Sequence, residues 1–241
     1  MRLLLLLCLL HTSLAHAITL LAAEVPPFVI RPQQGAPTGM AIEVMEEAAR
    51  RLHEPLTIEL LPFPRALSQI HHRPDALLLP PAWSQVRAER LSWVAPLIEE
   101  SFVLLTDRRY HPEPLTLKEL DRQEVLIGTL RDSFSHEWLN SRRDLRLELA
   151  HDERLNAQKL ARGRIQGWAA SWNTARYQQQ QNGLPLERLV RGEELARTHL
   201  YLAAAPDFPT ALAARWQQVI AQMRQDGSLA RILAQYDYQA P

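Results

Sequence analysis

Residues 18–28 read ITLLAAEVPPF, a mostly apolar run that ends in two consecutive prolines. A short apolar run closed by turn residues is typical of a buried strand, and proline cannot continue the hydrogen-bonded ladder in the middle of a sheet. The pattern therefore predicts a strand over 18–23, with Glu24 and Phe28 just beyond its carboxyl end. In open α/β sheets, ligands bind at that end of the strands.

The residues that follow predict an alternation of strands and helices. Apolar residues recur at helical spacing over 41–52, and a short helix is expected over 65–71. Strands are expected over 56–61 and 76–79, the second of which stops at two further prolines. This alternation implies a parallel sheet with helices on its faces.

The alternation then restarts in the second half of the chain. The expected strands are 102–106, 125–130, 145–149, 165–170 and 200–204, and the expected helices are 133–141, 153–161 and 174–181. Two more helices, 211–223 and 229–236, follow. Two such units predict an α/β protein with two lobes.

The first seventeen residues are typical of a signal peptide. Arg2 precedes the apolar run 3–10, and Ala15-His16-Ala17 fits the cleavage rule. The alternative is a retained membrane anchor, but the run is far shorter than the roughly twenty residues that span a bilayer. Cleavage after Ala17 would also remove Cys8, the one cysteine of the chain. We therefore expect a periplasmic protein without disulfides.

Composition and missing motifs argue against several functional classes. The 241 residues include 27 Lys or Arg and 27 Asp or Glu, a net charge of zero, whereas a nucleic-acid-binding protein would carry a basic excess. The sequence contains no Walker loop, no G-x-S-x-G elbow and no H-E-x-x-H motif. We expect no catalytic residue, no metal, no cofactor and no nucleic-acid partner.

Six short motifs occur in a fixed order. They are EVPPF at 24–28, GMAIEV at 39–44, PDA at 74–76, Arg87 nine residues before Pro96, GRI at 163–165 and DG at 226–227. This order resembles the solute-binding proteins of polar-amino-acid ABC transporters, the family 3 extracellular binding proteins, over nearly the whole chain beyond the leader.

The resemblance implies a periplasmic-binding-protein type II fold with the ligand between two lobes. Lobe one would comprise residues 18–104 and 204–241, and lobe two residues 105–203. Two strands, near 102–106 and 200–204, would form the hinge. Closure of the lobes on a ligand would then shift an open–closed equilibrium.

The resemblance also implies a carboxylate clamp. In the family, the arginine of the motif at Arg87 binds the ligand's α-carboxylate, and a guanidinium suits this task because its donors match a carboxylate two at a time. The alternative is a surface arginine. Arg65, at the end of a predicted strand, is a second candidate, with the alternative of an exposed position at the start of a helix.

Five further residues complete the predicted site: Phe28, Glu24, Ser133, Ser171 and Trp172. Phe28 would stack on the ligand or fill the core, and Glu24 would face a ligand cation or lie in a solvated loop. Asp132 or Ser133 is the candidate N-cap of the next helix, where free N–H groups bind anions, although the acid of Asp132 would repel an anion. Ser171, followed by Trp172, stands where the family carries the acid that binds the ligand's α-amino group.

That departure predicts an unusual ligand. A desolvated ammonium without a charged partner costs several kcal/mol, and Glu24 is the one nearby anion that the sequence suggests. We therefore expect ordinary α-amino acids to bind weakly, and the natural ligand to lack a free α-ammonium or to place its cation against Glu24.

Three functions follow from these features. The first is a monomeric periplasmic protein that captures a small carboxylated or anionic solute and transfers it to a membrane permease or a sensor. The second is a dehydratase-like enzyme on the same scaffold, with Glu24 or Glu43 as acid or base. The third is a sensory or accessory binding protein.

Overall fold

A computed structural model of the protein describes residues 18–120, 125–142 and 145–241, so the expected signal peptide lies outside the described residues. The first α/β unit follows the predicted order: β1 (Ile18–Ala23), α1 (Met40–Leu52), β2 (Leu56–Leu61), α2 (Phe63–Ile70) and β3 (Ala76–Leu79). Strand β1 pairs in parallel with both β2 and β3.

Helix α1 begins at a glycine that the fold requires. Gly39 has φ +117°, and a Cβ atom there would lie 2.6 Å from the carbonyl oxygen of Phe28. The close approach lets the amides of Met40 and Ala41 bond to the carbonyls of Pro27 and Phe28. The loop after β1 is thereby fixed against the start of α1, at the carboxyl end of the strand.

The second unit contains the long strand β4 (Ser92–Asp107), the turn of helix α3 (Leu117–Leu120), β5 (Leu126–Leu130), α4 (Phe134–Asn140), β6 (Arg146–Ala150), α5 (Glu153–Ala161), β7 (Gly167–Ser171) and α6 (Trp172–Gln181). A 3₁₀ turn (Leu186–Arg188) leads into a second long strand, β8 (Leu189–Ala204). Strand β5 pairs in parallel with β6 and β7.

Strands β4 and β8 are antiparallel partners of 16 residues each, and they run through both lobes. The sheet order is β2-β1-β3-β8-β4-β7-β5-β6. The sequence predicted only one part of each long strand. Pro96, with Glu99 and Glu100 after it, interrupts the apolar pattern of β4, and shifts in register flank that proline.

The packing changes from one lobe to the other a few residues away from the expected boundaries. Leu104 packs in the second lobe with Leu115 and Ile127, whereas Leu200 and Leu202 pack in the first lobe. On β4 the change falls between Phe102, which packs with the first lobe, and Val103, which packs with the second; on β8 it falls between Leu195 and Leu200. The boundary between the lobes therefore lies within β4 and β8, where their side chains change from one hydrophobic cluster to another.

Two C-terminal helices, α7 (Thr210–Gln225) and α8 (Ser228–Ala234), cover the first lobe. The tail then reaches α6 of the second lobe. The side chain of Asn173 binds the amide and carbonyl of Gln239 at 2.8 and 3.0 Å, and Arg176 binds Asp237 at 2.6 Å. Among the residues described, no helix has the length and apolar character needed to cross a membrane.

Candidate functional site

A cavity of about 60 Å³ lies between the two lobes. Its apolar wall is formed by Val25, Phe28, Phe63, Pro80, Ala82, Phe102, Leu130, Phe134 and Leu200. Its polar lining residues are Arg87, Ser133, Ser135, Glu153, Ser171 and Thr174. An apolar wall with a few convergent polar groups is typical of small-molecule sites. The volume is smaller than the roughly 300–1,000 Å³ of such sites, so a solute of amino-acid size would have to displace side chains that fill the cleft.

Arg87 contributes the positive charge of the cavity. It lies in the loop between β3 and β4, is only 2% exposed, and stacks over the ring of Phe63 with 4.9 Å between its Cζ and the ring centroid. Its Nη1 donates to the carbonyl of Ala82 at 3.3 Å, and its Nη2 donates to the carbonyl of Asp132 at 3.0 Å. Burial lowers the pKa of Arg87, but a guanidinium remains protonated in proteins.

The same guanidinium already binds a carboxylate, that of Glu137 on α4. Arg87 Nη2 lies 2.7 Å from Glu137 Oε1, and Ser84 Oγ donates to Glu137 Oε2 at 3.0 Å. The pair joins the two lobes, because Ser84 and Arg87 belong to lobe one and Glu137 to lobe two. No sequence motif marks Glu137, and its position one helical turn after Ser133 is the only sequence feature that points to it.

The loop before α4 holds that helix in place. Ser133 caps α4 by accepting from the amide of His136 at 3.2 Å, and the Asp132 amide donates to His136 Nδ1 at 3.1 Å. Asp132 has φ +58°, and its carboxylate is about half exposed. Its carbonyl accepts from Arg87 Nη2, and its carboxylate adds a longer-range attraction that favours the charged guanidinium.

Glu153 is the carboxyl group of the cavity wall. It is the first residue of α5, after the N-cap Asp152, which accepts from the amide of Arg154 at 2.7 Å. Its Oε2 accepts from Asn156 Nδ2 at 2.7 Å and from Trp168 Nε1 at 2.8 Å. Burial raises the pKa of Glu153 to about 7 in spite of these two hydrogen bonds. In the sequence, Glu153 is recognisable only as the first residue of a predicted helix.

Several buried polar atoms of the lining residues have no partner. Among the described residues, Arg87 Nε, Ser135 Oγ and Thr174 Oγ1 make no hydrogen bond. An unsatisfied buried polar atom costs about 1–3 kcal/mol. A bound molecule that gave hydrogen-bond partners to these three atoms would therefore stabilise the folded protein. Ser171 Oγ is already engaged, since it accepts from the amide of Thr174 at 3.2 Å.

The structure brings four of the predicted site residues to the cavity: Arg87, Phe28, Ser133 and Ser171. It does not bring the other three there. Glu24 is exposed and pairs with Arg31 at 3.1 Å, and Arg65 is exposed on the first turn of α2. Trp172 packs against the core of the second lobe and lies under Arg191, 5.2 Å from its Cζ.

Solved structures share this architecture. A histidine kinase sensor domain with similarity to periplasmic binding proteins is 21% identical, with a TM-score of 0.81 and coverage of 92% of this chain and 96% of its own. The arginine-, lysine-, histidine-binding protein ArtJ of Geobacillus stearothermophilus is 11% identical, with a TM-score of 0.78 and coverage of 94% and 97%.

An ancestral amino-acid-binding protein, described as a precursor of cyclohexadienyl dehydratase, is 12% identical, with a TM-score of 0.80 and coverage of 91% and 95%. At such identities the likeness shows the fold alone, which is that of type II periplasmic binding proteins. A search of curated proteins returned no matching sequence.

The family model for bacterial extracellular solute-binding proteins, family 3, matches residues 18–239. That range includes both lobes and the tail. The expected resemblance is thereby confirmed, and the chain belongs to the family 3 extracellular solute-binding proteins.

Proposed function

We propose that the protein captures a small carboxylate-bearing solute in the periplasm, closes over it, and transfers it unchanged to a membrane permease. The observation that carries this proposal is the state of Arg87. Its guanidinium is buried and already binds one carboxylate oxygen at 2.7 Å, and its Nε has no partner among the described residues. A ligand carboxylate would satisfy that donor.

Glu153, the carboxyl group of the cavity wall, indicates a second polar group on the solute. Glu153 presents a carboxyl group whose Oε1 has no hydrogen bond among the described residues, so a ligand amine or hydroxyl would find an acceptor there. This changes the expectation about a ligand cation, since Glu24 lies outside the cavity and Glu153 lies in its wall. We infer a solute with a carboxylate for Arg87, an apolar body, and a hydrogen-bond donor for Glu153.

A matched series of compounds tests this assignment. Thermal shift and calorimetry would compare L-leucine, 2-hydroxy-4-methylpentanoate, 4-methylpentanoate and L-leucinamide, together with the other amino acids. A compound at 100 times its dissociation constant stabilises the protein by about 2.7 kcal/mol. We expect the amino and hydroxy acids to bind most tightly, and the amide to fail. If no carboxylate stabilises the protein, or if the amide binds equally well, the proposal is wrong.

Glu153 also favours a second candidate, an enzyme. A buried carboxyl group with a pKa near 7 suits general acid–base catalysis at neutral pH, and one structural neighbour is described as a dehydratase precursor. Incubation of each bound compound with the protein, followed by NMR of the mixture, would detect turnover. We expect none. Product formation that is lost in Glu153→Gln would establish the enzyme instead.

A role in sensing is a further candidate, because one structural neighbour is the sensor domain of a histidine kinase. The membrane protein that receives the solute would distinguish transport from sensing. A permease and an ATPase encoded next to this protein would support transport, whereas an adjacent kinase would support sensing. Mass spectrometry of the exported protein tests its location, and we expect a chain that begins at Ile18.

A further inference from the structure

The contact between Arg87 and Glu137 engages the whole carboxylate of Glu137. One oxygen accepts from Arg87 at 2.7 Å, and the other accepts from Ser84 at 3.0 Å. Both donors belong to lobe one, and Glu137 belongs to lobe two. Within the described residues, the Glu137 side chain has no hydrogen bond or ion pair inside its own lobe. The polar contacts of its side chain therefore exist only while the two lobes are together.

Arg87 depends equally on this partner. Among the described residues, Glu137 is its one ion-pair partner, and the guanidinium is almost fully buried. A buried charge without its partner is strongly destabilising, so closure requires a carboxylate on Arg87. Glu137 meets that requirement in this structure, and a ligand carboxylate would meet it in the complex.

The two carboxylates would compete for one donor, because a ligand carboxylate that pairs side-on with the free Nε also needs Nη2, which Glu137 occupies. Two carboxylates on the same group repel each other, and the Glu137 side chain is 24% exposed, so it has a path to water when it leaves. We propose that Glu137 is an internal competitor of the ligand: it holds the empty lobes closed through Arg87 and must be displaced by the solute's anionic group. The competition with ligand rests on the function proposed above, whereas the closure of the empty protein does not.

The first test uses the unliganded protein. Small-angle scattering would compare the wild type with Glu137→Gln and Glu137→Ala. The matched control is Glu148→Gln, which removes the same charge from the second lobe at a surface pair with Lys159. We expect a compact wild type and control, and a larger radius of gyration in Glu137→Gln and still more in Glu137→Ala. Equal radii in all four proteins would overturn the proposal.

The second test adds a carboxylate, with L-leucine, 2-hydroxy-4-methylpentanoate and 4-methylpentanoate as probes in calorimetry. Without its competitor, Arg87 should bind the same probe at least fivefold more tightly in Glu137→Gln than in the wild type, while Glu148→Gln should match the wild type. Unchanged or weaker binding in Glu137→Gln would show that Glu137 does not compete. If no probe binds to any of these proteins, the proposed ligand class fails, and the scattering result still decides the closure.

Discussion

The two charged groups of the cavity are held in opposite ways. Arg87 extends from the first lobe, and its ion-pair partner Glu137 belongs to the second. Glu153 belongs to the second lobe, and both of its side-chain partners, Asn156 and Trp168, lie in that same lobe. The surroundings of Arg87 therefore change when the lobes separate, whereas Glu153 keeps its partners.

This difference corresponds to two tasks of a binding cleft, namely recognition of the ligand and coupling of binding to motion of the lobes. A preassembled group such as Glu153 costs no reorganisation when a ligand arrives, and it acts as a fixed acceptor. A group whose contacts cross the cleft couples ligand binding to motion, because each contact that it gains or loses shifts the open–closed equilibrium. In the proposed function, Arg87 would couple binding to motion and Glu153 would recognise the ligand.

The largest expected effect is the loss of Arg87. Arg87→Ala should weaken the binding of a carboxylate probe by about 2–5 kcal/mol, since truncation removes one partner of a desolvated charge pair. Arg87→Lys should also lose affinity, because an ammonium cannot replace the planar fork of donors. Calorimetry would measure both, with Arg90→Ala, an exposed arginine of the same loop, as the control. An unaltered affinity in Arg87→Ala would remove this residue from the site.

Acid titration tests the other half of the comparison. Burial raises the folded-state pKa of Glu153 from 4.5 to about 7, so the folded protein binds this proton more tightly than the unfolded chain does. The associated stability is fully present below about pH 4.5 and is lost as the pH rises through 7, by up to about 3 kcal/mol. Glu153→Gln should flatten this part of the denaturation profile.

A second buried glutamate provides the control. Burial also raises the pKa of Glu100, in the hinge, to about 7, and this residue does not line the cavity. Glu100→Gln should therefore flatten the same range of pH without changing the affinity for an amino or hydroxy acid, whereas Glu153→Gln should weaken that affinity. Equal affinities in both variants would contradict the role of Glu153 as the acceptor for the ligand.

Pattern and periodicity predicted most of the fold. The apolar runs of β1 and β3 and the helical spacing of α1 carry strong local signals, because burial on one face determines each of them. The central part of β4 was missed since Glu100 and Ser101 are buried polar residues within it. Their partners, Asn173 and Glu194, come from distant elements, and no local pattern encodes such pairs.

The site was predicted less completely for the same reason. The motif around Arg87 located one side of the cleft, whereas Glu137 and Glu153 reach it only through the packing of α4 and α5. The sequence places Glu24 at the end of a strand, but it gives no information on Arg31, which holds that side chain at the surface. Local position predicted which residues were near the cleft, and tertiary contacts decided which ones entered it.

A smaller effect is expected from the aromatic contact across the cleft. Phe134 of α4 lies 4.4 Å from Phe102 between ring centroids, and such pairs contribute about 0.5–1.5 kcal/mol beyond their buried area. Phe134→Ala should expand the unliganded protein in scattering, and Phe134→Leu should do so less because it retains apolar contact. A compact Phe134→Ala protein would show that this ring pair adds little to closure.

The smallest effects should occur at the surface residues that sequence alone placed in the site. Glu24→Gln and Arg65→Ala change exposed side chains, and such substitutions usually alter stability by no more than about 0.5 kcal/mol. We expect both variants to bind the carboxylate probes with wild-type affinity in calorimetry. A loss of affinity of tenfold or more in Glu24→Gln would restore Glu24 as the partner of a ligand cation.

The two long strands also have a consequence for how the protein unfolds. Strands β4 and β8 lie in the middle of the sheet order, between the parallel strands β2-β1-β3 of one lobe and β7-β5-β6 of the other. Because they pair with strands of both lobes, neither lobe can melt without removing a neighbour from these two shared strands. The same two strands that form the hinge are therefore also part of the sheet of each lobe. Heating should therefore melt the molecule in one cooperative transition, with equal calorimetric and van't Hoff enthalpies.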